Sequence, residues 1–356
     1  MNESDIVVRP MDSATYTVSS RLQASGLAAG IRLFEQAART ATLPQAPRPI
    51  TIADYGAANG YNSLQPLKAV ISAVRTRTRP EHAILVTHTD LPDNDFTALF
   101  TTLANEADSY LKGDRATFAS AVGRSFYEQI LPSGSVTLGW SSWATHWLSR
   151  VPAQIPDHIH IAHSADADAR RAYSRQAAMD WHDFLAFRGR ELAPGGRMVV
   201  VTLGLDDAGE AGFGAVMEAL AESLHILVER GTLRPEELRR MAVPTVGRSR
   251  KELLAPFAPS GRFEGLSVEH LELCDVEDQF WARYLVDGDP AAFGAGWAGF
   301  ARAAIFPTLA TALDSATRPA MFLEELASEL TRRVAAKPRP TAIPLAVLVA
   351  AKRPLE

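Results

Sequence analysis

The stretch Ile50-Thr-Ile-Ala-Asp54-Tyr-Gly56-Ala-Ala-Asn-Gly60-Tyr-Asn62 decides which fold is expected for this chain. It begins with a short, mostly apolar run that ends at an acid, which is typical of a buried strand. Gly56 then allows a sharp turn off the strand, and Gly60 allows the backbone to approach a ligand closely. The spacing differs from the G-x-G-x-x-G of dinucleotide enzymes, so the loop favours a ligand whose charged amino-acid end meets loop amides and the Asp54 carboxylate. A glycine-rich turn without a ligand is the alternative.

A second predicted strand, residues 82–87, is followed by Asp90. In a parallel α/β sheet, an acid at the end of the second strand accepts hydrogen bonds from the ribose of a nucleoside bound over the first loop. Acids at strand ends are also common on ordinary surfaces. Asp54, the glycine loop and Asp90 together predict a nucleoside-binding crevice.

Strands alternate with helices over the first 200 residues, which indicates a parallel, doubly wound sheet. The further elements predicted there are helices at 19–38, 64–74 and 181–192, the last closed by Pro194-Gly195-Gly196, and strands at 120–123, 135–140 and 197–203. Helical patterns at 208–240 and 276–313 then flank a strand at 266–273, and a last strand follows at 340–352. The pattern predicts a core over residues 1–204, a mainly helical cap over 205–320 with one interposed core strand at about 264–273, and a closing helix and strand over 321–356.

Composition excludes several classes of protein. The 356 residues carry a formal net charge of −5 with no basic block, which argues against nucleic acid or an anionic membrane as a partner. Cys274 is the single cysteine, so no intramolecular disulfide is expected, and a small buried hydrophobe is its ordinary role. The N-terminus lacks a secretory pattern, and the apolar run 343–351 is too short to cross a bilayer. A cytoplasmic protein is predicted.

Five spaced motifs resemble the SABATH family of carboxyl methyltransferases, which acts on salicylate, benzoate, jasmonate and indole-acetate, and the chain looks like a bacterial-type member. The motifs are Tyr16 with Ser20 and Gln23; Ile52-Ala-Asp-Tyr-Gly-Ala-Ala-Asn-Gly-Tyr-Asn62; Thr89-Asp-Leu-Pro-Asp-Asn-Asp-Phe96; Gly123-Arg-Ser-Phe-Tyr127 with Leu131-Pro132; and Ser141-Ser-Trp-Ala-Thr-His-Trp-Leu-Ser149 with Val151-Pro152. The resemblance implies a Rossmann-like methyltransferase fold, α/β with a mostly parallel sheet whose last strand is antiparallel, and an inserted helical cap. It also implies a homodimer.

The same resemblance implies which residues form the site. S-adenosylmethionine would be held by Tyr16, Ser20, Gln23, Asp54, Gly56, Gly60, Asn62, Asp90, Leu91, Ser125 and Phe126. Phe126 would lie against the adenine and Asp90 would hold the ribose. Gln23 and Trp147 would position the substrate carboxylate as neutral donors, with Trp143 and His146 also lining the substrate pocket. The implied reaction forms the methyl ester of a small aromatic carboxylic acid, by in-line transfer without an obligatory general base.

The chain departs from the family pattern at three places. Trp143 stands where the family has tyrosine, which narrows or reshapes the aromatic pocket, and Ser19 stands for the opening asparagine. Met241-Ala-Val-Pro-Thr-Val246 corresponds to a stretch that bears on a magnesium site and on the cap wall in the family. Magnesium binding is therefore doubtful, and no metal is predicted.

Other functions compete with this interpretation. N-methylation of a small heterocycle needs a base, for which His146 is the candidate; its other roles are neutral hydrogen bonding, which is favoured, and packing. A nicotinamide-dependent oxidoreductase is disfavoured by the glycine spacing, and a non-catalytic cofactor-binding module remains an alternative. His158, His160 and His163 could suggest zinc, although a polar connecting loop is favoured.

Overall fold

The computed structural model describes residues 26–258, 260–314 and 319–354. Within them, seven strands form one sheet in the order β3-β2-β1-β4-β5-β7-β6. The strands are β1 Ile50–Tyr55, β2 Ile84–Asp90, β3 Thr117–Gly123, β4 Val136–Ser142, β5 Leu192–Leu203, β6 Leu266–Asp275 and β7 Pro344–Lys352. β7 is antiparallel to both neighbours, β5 and β6, whereas the pairs among β1 to β5 are parallel. The predicted mostly parallel sheet with an antiparallel last strand is confirmed.

Helices surround this sheet. Those of the first half are α1 Ala28–Thr40, α2 Leu64–Arg75, α3 Phe96–Asn105 and α4 Ala167–Glu191. α5 Gly214–Glu229, α6 Pro235–Arg240 and α7 Arg250–Leu254 lie between β5 and β6 in the chain. α8 Gln279–Asp287, α9 Pro290–Ala304, α10 Phe306–Ala310 and α11 Pro319–Ala336 lie between β6 and β7. Helical segments are thus inserted between the late strands.

The inner strands of the sheet are buried on both faces, which explains their sequences. All but one residue of β7 are buried, and an almost continuous apolar strand is what a sheet covered on both sides requires. On one face Trp140 of β4 packs against Phe34 of α1, with ring centroids 5.1 Å apart. On the other face Met198 of β5 packs with Phe184 of α4. The strands are therefore held rigidly, and their carboxyl ends can support a site.

The inserted helices have an aromatic core of their own. Trp297 of α9 is fully buried and meets Phe213, Phe280 and Phe300, with ring centroids 5.1 to 5.9 Å apart. The helical stretch predicted at 208–240 is divided in the structure, because Gly231 adopts a positive φ of 75° after α5 and Pro235 begins α6.

Two sequence-based boundaries were wrong. α4 begins at Ala167 rather than near residue 181, since its first half is mostly polar and solvent-facing. Pro194-Gly195-Gly196, expected to follow that helix as a terminator, lies inside β5, where the pairing with β4 shifts register between Val136 and Leu138. No helix in the described ranges combines the length and the apolar composition that crossing a bilayer demands.

Candidate cofactor and substrate site

The carboxyl ends of β1 and β2 bring two acids to one edge of the sheet. β1 pairs with β2 so that Asp54 lies opposite His88 and Tyr55 opposite Thr89. Asp54 is 1% exposed, while Asp90, the last residue of β2, is half-buried. The structure therefore brings Asp54, Asp90 and the loop between β1 and α2 together, as their positions in the sequence predicted.

The glycine loop is shaped by contacts with its neighbours. The amides of Gly56 and Ala57 both donate to the carbonyl oxygen of Thr89, at 2.9 and 3.0 Å. Gly56 has a φ of +84°, and a Cβ there would lie 2.4 Å from the Cβ of Ala144. Gly60 also has a positive φ, +78°, and a Cβ there would lie 2.5 Å from Leu99 Cδ1. Glycine is required at both positions by backbone conformation and by close packing.

Asp90 closes the loop onto β2. Its Oδ2 accepts a hydrogen bond from the backbone N–H of Ala58 at 2.7 Å, and its Oδ1 accepts from Leu91 N at 2.8 Å. Burial raises the pKa of Asp90 to about 6, although these two backbone hydrogen bonds lower it; Asp54 and Asp93 raise it further. Each carboxylate oxygen has a second lone pair. Asp90 can therefore still accept from two hydroxyl groups of a ligand.

The segment after β3 adds an aromatic wall. Arg124 N donates to Asp90 O at 2.7 Å, which fixes this segment against the end of β2. Ser125 Oγ accepts from Tyr127 N at 3.2 Å. The Phe126 ring lies edge-on to Tyr127, 4.7 Å between centroids, and its Cε1 comes within 3.5 Å of a Cβ built on Gly56. Phe126 thus borders the glycine loop. Asn62 and Leu91 are half-buried; Asn62 lies in the turn before α2, and Leu91 directly follows Asp90.

The segment after β4 carries three large rings. Trp143 has a positive φ of 53° and is 4% exposed; its ring lies edge-on to His146 at 6.2 Å, and His146 lies 6.0 Å from Trp147. The indole Nε1 of Trp147 and the Nδ1 of His146 are buried, and neither has a hydrogen-bond partner among the described residues. Buried polar atoms are normally satisfied, so these two atoms are candidates to bind a polar group of a ligand.

A second segment holds these rings in place. Val246 N donates to His146 O at 2.9 Å, and Leu148 N donates to Pro244 O at 2.8 Å. The Tyr127 hydroxyl donates to the carbonyl oxygen of Trp147 at 2.5 Å. Sequence reasoning placed residues 241–246 near the cap wall, but it missed this pairing, because nothing in a local pattern reports a contact about 100 residues away.

His146 is held in its neutral form. Burial lowers the pKa of His146 to about 3, and the positive charge of Arg248 and the nearby His160 lower it further. Arg248 is 2% exposed and donates from Nη1 to Thr145 O at 2.7 Å. Sequence reasoning missed Arg248, since an arginine in a polar stretch is normally expected at the surface.

Sequence reasoning missed one further polar feature, the contacts of His88, and disfavoured another, the three histidines at 158, 160 and 163, as a zinc site. His88, in the apolar strand β2, lies 2.8 Å from Asp54 Oδ2 and 2.8 Å from the Tyr110 hydroxyl; a histidine within a strand buried on both faces was the available clue. The rings of His158 and His163 lie 4.9 Å apart, and His160 Nε2 lies 3.0 Å from Thr245 Oγ1.

Metal binding gains no support from the donor groups. In the described part of the chain, no group of three or more His, Cys, Asp or Glu residues is placed to hold a metal ion. Met241, Ala242 and Val243 are buried apolar side chains. Magnesium prefers oxygen ligands, so the side chains of these three residues do not fit it. Tyr16, Ser20 and Gln23 lie outside the described residues.

Comparison with known proteins places the chain in a family. A family model described as S-adenosylmethionine-dependent carboxyl methyltransferase matches residues 8–350, and the chain belongs to this family.

Two plant relatives illustrate the match. Salicylate carboxymethyltransferase from Clarkia breweri is 30% identical over 252 residues, which is 67% of this chain and 67% of that protein. Anthranilate O-methyltransferase 1 from Zea mays is 27% identical over 351 residues, covering 90% of this chain and 89% of that protein. The chain spans only 63% of the length of two fungal methyltransferases that it also matches.

A solved structure has the same fold. Loganic acid methyltransferase with S-adenosylhomocysteine superposes with a TM-score of 0.76 at 23% identity, covering 97% of this chain and 98% of that chain.

Proposed function

We propose that this protein transfers a methyl group from S-adenosylmethionine to the carboxylate of a small aromatic acid, forming a methyl ester. The observation that carries this proposal is the pair of unsatisfied buried atoms on neighbouring residues, Trp147 Nε1 and His146 Nδ1. An indole N–H is a donor only, so its missing partner is an acceptor, and a carboxylate is the strongest acceptor among small organic groups. Family membership supports the same substrate class.

The residues at the β1–β2 edge fit the cofactor by their chemistry. Asp90 retains lone pairs for two ribose hydroxyls, and the acid Asp54 suits a positively charged ammonium group. The Phe126 ring beside Gly56 offers an apolar face for adenine. When bound, S-adenosylmethionine supplies a methyl group on a positively charged sulfur. We propose that Tyr16, Ser20, Gln23, Asn62, Leu91 and Ser125 complete its surroundings, and that Gln23 also faces the substrate.

The reaction asks little of the protein beyond alignment and a dry pocket. Carboxylic acids titrate near 4 and are already ionised at pH 7, so no base has to remove a proton. The carboxylate and the sulfonium lose opposite charges as they react, and an apolar pocket therefore assists the step relative to water. Holding the two reactants in line contributes up to about 7–11 kcal/mol in the best-oriented cases. Trp147 and His146 orient the carboxylate, while Trp143 excludes water.

The chemistry of His146 separates two reactions. N-methylation of a heterocycle requires a base that accepts the substrate's proton. With its pKa lowered to about 3, His146 is a weak base, and its neutral ring instead suits a hydrogen bond to a carboxylate. Ester formation is therefore the favoured reaction. Relatives named for salicylate and anthranilate support an aromatic acid as the substrate.

Other parts of the proposal rest on the sequence alone. A homodimer, a cytoplasmic location, a bacterial-type position within the family, and the division into a core over 1–204, a cap over 205–320 and a closing segment over 321–356 all stay predictions.

A screen of small carboxylic acids tests the proposed function. Purified protein is incubated with radiolabelled S-adenosylmethionine and each of benzoate, salicylate, indole-acetate and a longer aliphatic acid. The expected product carries label that mild base releases as methanol, as an ester does. Label retained after base treatment would indicate N-methylation, and failure of the protein to bind S-adenosylmethionine would contradict the proposal as a whole.

A further inference from the structure

A chain of three polar side chains runs beneath the proposed cofactor crevice. Asp54 Oδ2 lies 2.8 Å from His88 Nδ1, and His88 Nε2 lies 2.8 Å from the hydroxyl of Tyr110. Asp54 is 1% exposed, His88 0% and Tyr110 3%. The three residues come from β1, from β2 and from the short 3₁₀ turn Tyr110–Lys112, so the chain links three separate elements.

The protons in this chain can be assigned from the partners. A carboxylate only accepts, so Nδ1 of His88 carries the proton that it donates to Asp54. Burial, together with the charge of Asp54, raises the pKa of Tyr110, which therefore keeps its proton. With Tyr110 donating to Nε2, the neutral imidazole has both nitrogens satisfied. The hydrogen bonds of the chain are therefore all satisfied with a carboxylate at Asp54.

The position of the chain gives it a consequence for ligand binding. Asp54 is the residue before the last of β1, immediately ahead of Tyr55 and the glycine loop. Within the described residues its side chain has no other hydrogen bond, so His88 is the side chain of this part of the protein that orients the carboxylate. If these side chains served only to fill space, aliphatic residues in their place would make the protein more stable, because burying polar groups costs free energy.

We propose that His88, supported by Tyr110, is a positioning residue for cofactor binding: it holds the Asp54 carboxylate toward the ammonium group of S-adenosylmethionine. This inference rests on the proposed function. It assigns to His88 an effect on the amino-acid end of the cofactor and none on the nucleoside end, which Asp90 and Phe126 border.

Two ligands that differ only in the amino-acid end provide the test. S-adenosylhomocysteine carries the ammonium group, and 5′-methylthioadenosine lacks the whole amino-acid portion. Isothermal calorimetry is run with both ligands on the wild type and on His88→Leu, His88→Asn and Tyr110→Phe. His88→Leu is expected to weaken S-adenosylhomocysteine about tenfold or more, as the loss of a hydrogen bond to a charged group does, and to change the methylthioadenosine affinity less than twofold.

The two other variants control for folding. The side-chain amide of His88→Asn can donate from nearly the place of Nδ1, and it should restore the affinity for S-adenosylhomocysteine to within about threefold of wild type. Tyr110→Phe keeps the His88–Asp54 bond and should weaken S-adenosylhomocysteine only about two- to fivefold, again without affecting methylthioadenosine. Tyr110→Phe also serves where His88→Leu fails to fold.

The outcomes are distinct. If the wild type binds neither ligand, the proposed function is wrong, and this inference is then wrong as well. If the wild type binds both but S-adenosylhomocysteine is unaffected in the variants, the proposed function stands and the positioning role is wrong. Equal weakening of both ligands would indicate a general structural role and also overturn the inference.

Discussion

The carboxylate of Asp90 accepts a hydrogen bond from the backbone N–H of Ala58, with Oδ2 and N 2.7 Å apart. This bond joins the end of β2 to the glycine loop after β1. Asp90 therefore stabilises the glycine loop while its half-buried carboxylate stays at the crevice. Together with the bond from Leu91 N to Oδ1, the bond from Ala58 uses two of the four carboxylate lone pairs, and the remaining two are available to a ligand.

Replacing Asp90 by asparagine should impair cofactor binding without unfolding the crevice. The amide oxygen can still accept from Ala58, but the second oxygen and the negative charge are lost, so the Leu91 N–H and one ribose hydroxyl each lose their acceptor. We expect the Kd for S-adenosylhomocysteine to rise at least tenfold, measured by calorimetry. Asp95→Asn is the matched control: Asp95 caps α3 by accepting from Ala98 N at 2.8 Å and should affect stability alone. Unchanged cofactor affinity in Asp90→Asn would remove Asp90 from the site.

The ionisation of Asp90 should also change the free energy of unfolding with pH. Burial raises the pKa of Asp90 from 3.8 to about 6 in the folded protein. The folded state therefore holds a proton that the unfolded chain releases, and this contribution to stability is complete below 3.8 and is lost as the pH rises through about 6. Asp90→Asn cannot ionise and does not lose this contribution. The free energy of unfolding of Asp90→Asn minus that of the wild type should therefore increase by about 1–3 kcal/mol between pH 4 and pH 8. Urea denaturation across this range measures the gain, and a difference that stays constant would contradict the raised pKa.

Much of the sheet could be predicted from local patterns. The strand expected from Ile50 extends to Tyr55, and those expected at 135–140 and 197–203 correspond to Val136–Ser142 and Leu192–Leu203. Apolar runs, turn residues and an acid at the strand end are all short-range features, and a parallel sheet places the ends of neighbouring strands at one edge. That is why Asp54 and Asp90 could be paired before the fold was known.

Buried charges could not be predicted in this way. Arg188 and Glu191 form a fully buried ion pair at 2.8 Å, and Tyr55 donates to Glu191 Oε2 at 2.7 Å. A charged residue in a helix normally faces the solvent. Only the tertiary contacts reveal that Arg188 and Glu191 are buried, paired and hydrogen-bonded. The same limit applies to His88 and to Arg248, whose partners lie far away in the chain.

Gly56 should be irreplaceable for a reason beyond its backbone angle. Gly56→Ala and Gly209→Ala both place a side chain at a positive φ, +84° and +81°, which costs about 1–2 kcal/mol. A Cβ at Gly56 also meets Ala144 Cβ at 2.4 Å, whereas nothing lies within 4 Å at Gly209. Chemical denaturation should show a further loss of about 1–3 kcal/mol in Gly56→Ala only, together with weaker S-adenosylhomocysteine binding. Equal losses in the two variants would show that the loop can move away from Ala144.

Trp147 should matter to the acid and not to the cofactor. Trp147→Phe deletes the unsatisfied indole N–H and part of the ring, so we expect the KM for the acid to rise about tenfold while the Kd for S-adenosylhomocysteine changes less than twofold. Trp140→Phe is the matched control, because Trp140 Nε1 is also buried without a partner among the described residues, but its ring packs in the core against Phe34. Trp140→Phe should lower the Tm and leave the acid KM unchanged. An acid KM that moves equally in both variants would place Trp147 outside the pocket.

Variants of His146 distinguish ester formation from N-methylation. Because burial and Arg248 lower the pKa of His146 to about 3, the ring stays neutral across pH 6–8, and at saturating S-adenosylmethionine kcat/KM for the acid should show no inflection from this residue. His146→Gln keeps a neutral hydrogen-bonding group and should retain at least about a tenth of kcat/KM, while His146→Ala should lose more, since the carboxylate then has one partner fewer. Loss of all activity at every pH in both variants would instead mark His146 as an obligatory base, and it would favour methylation at nitrogen over ester formation.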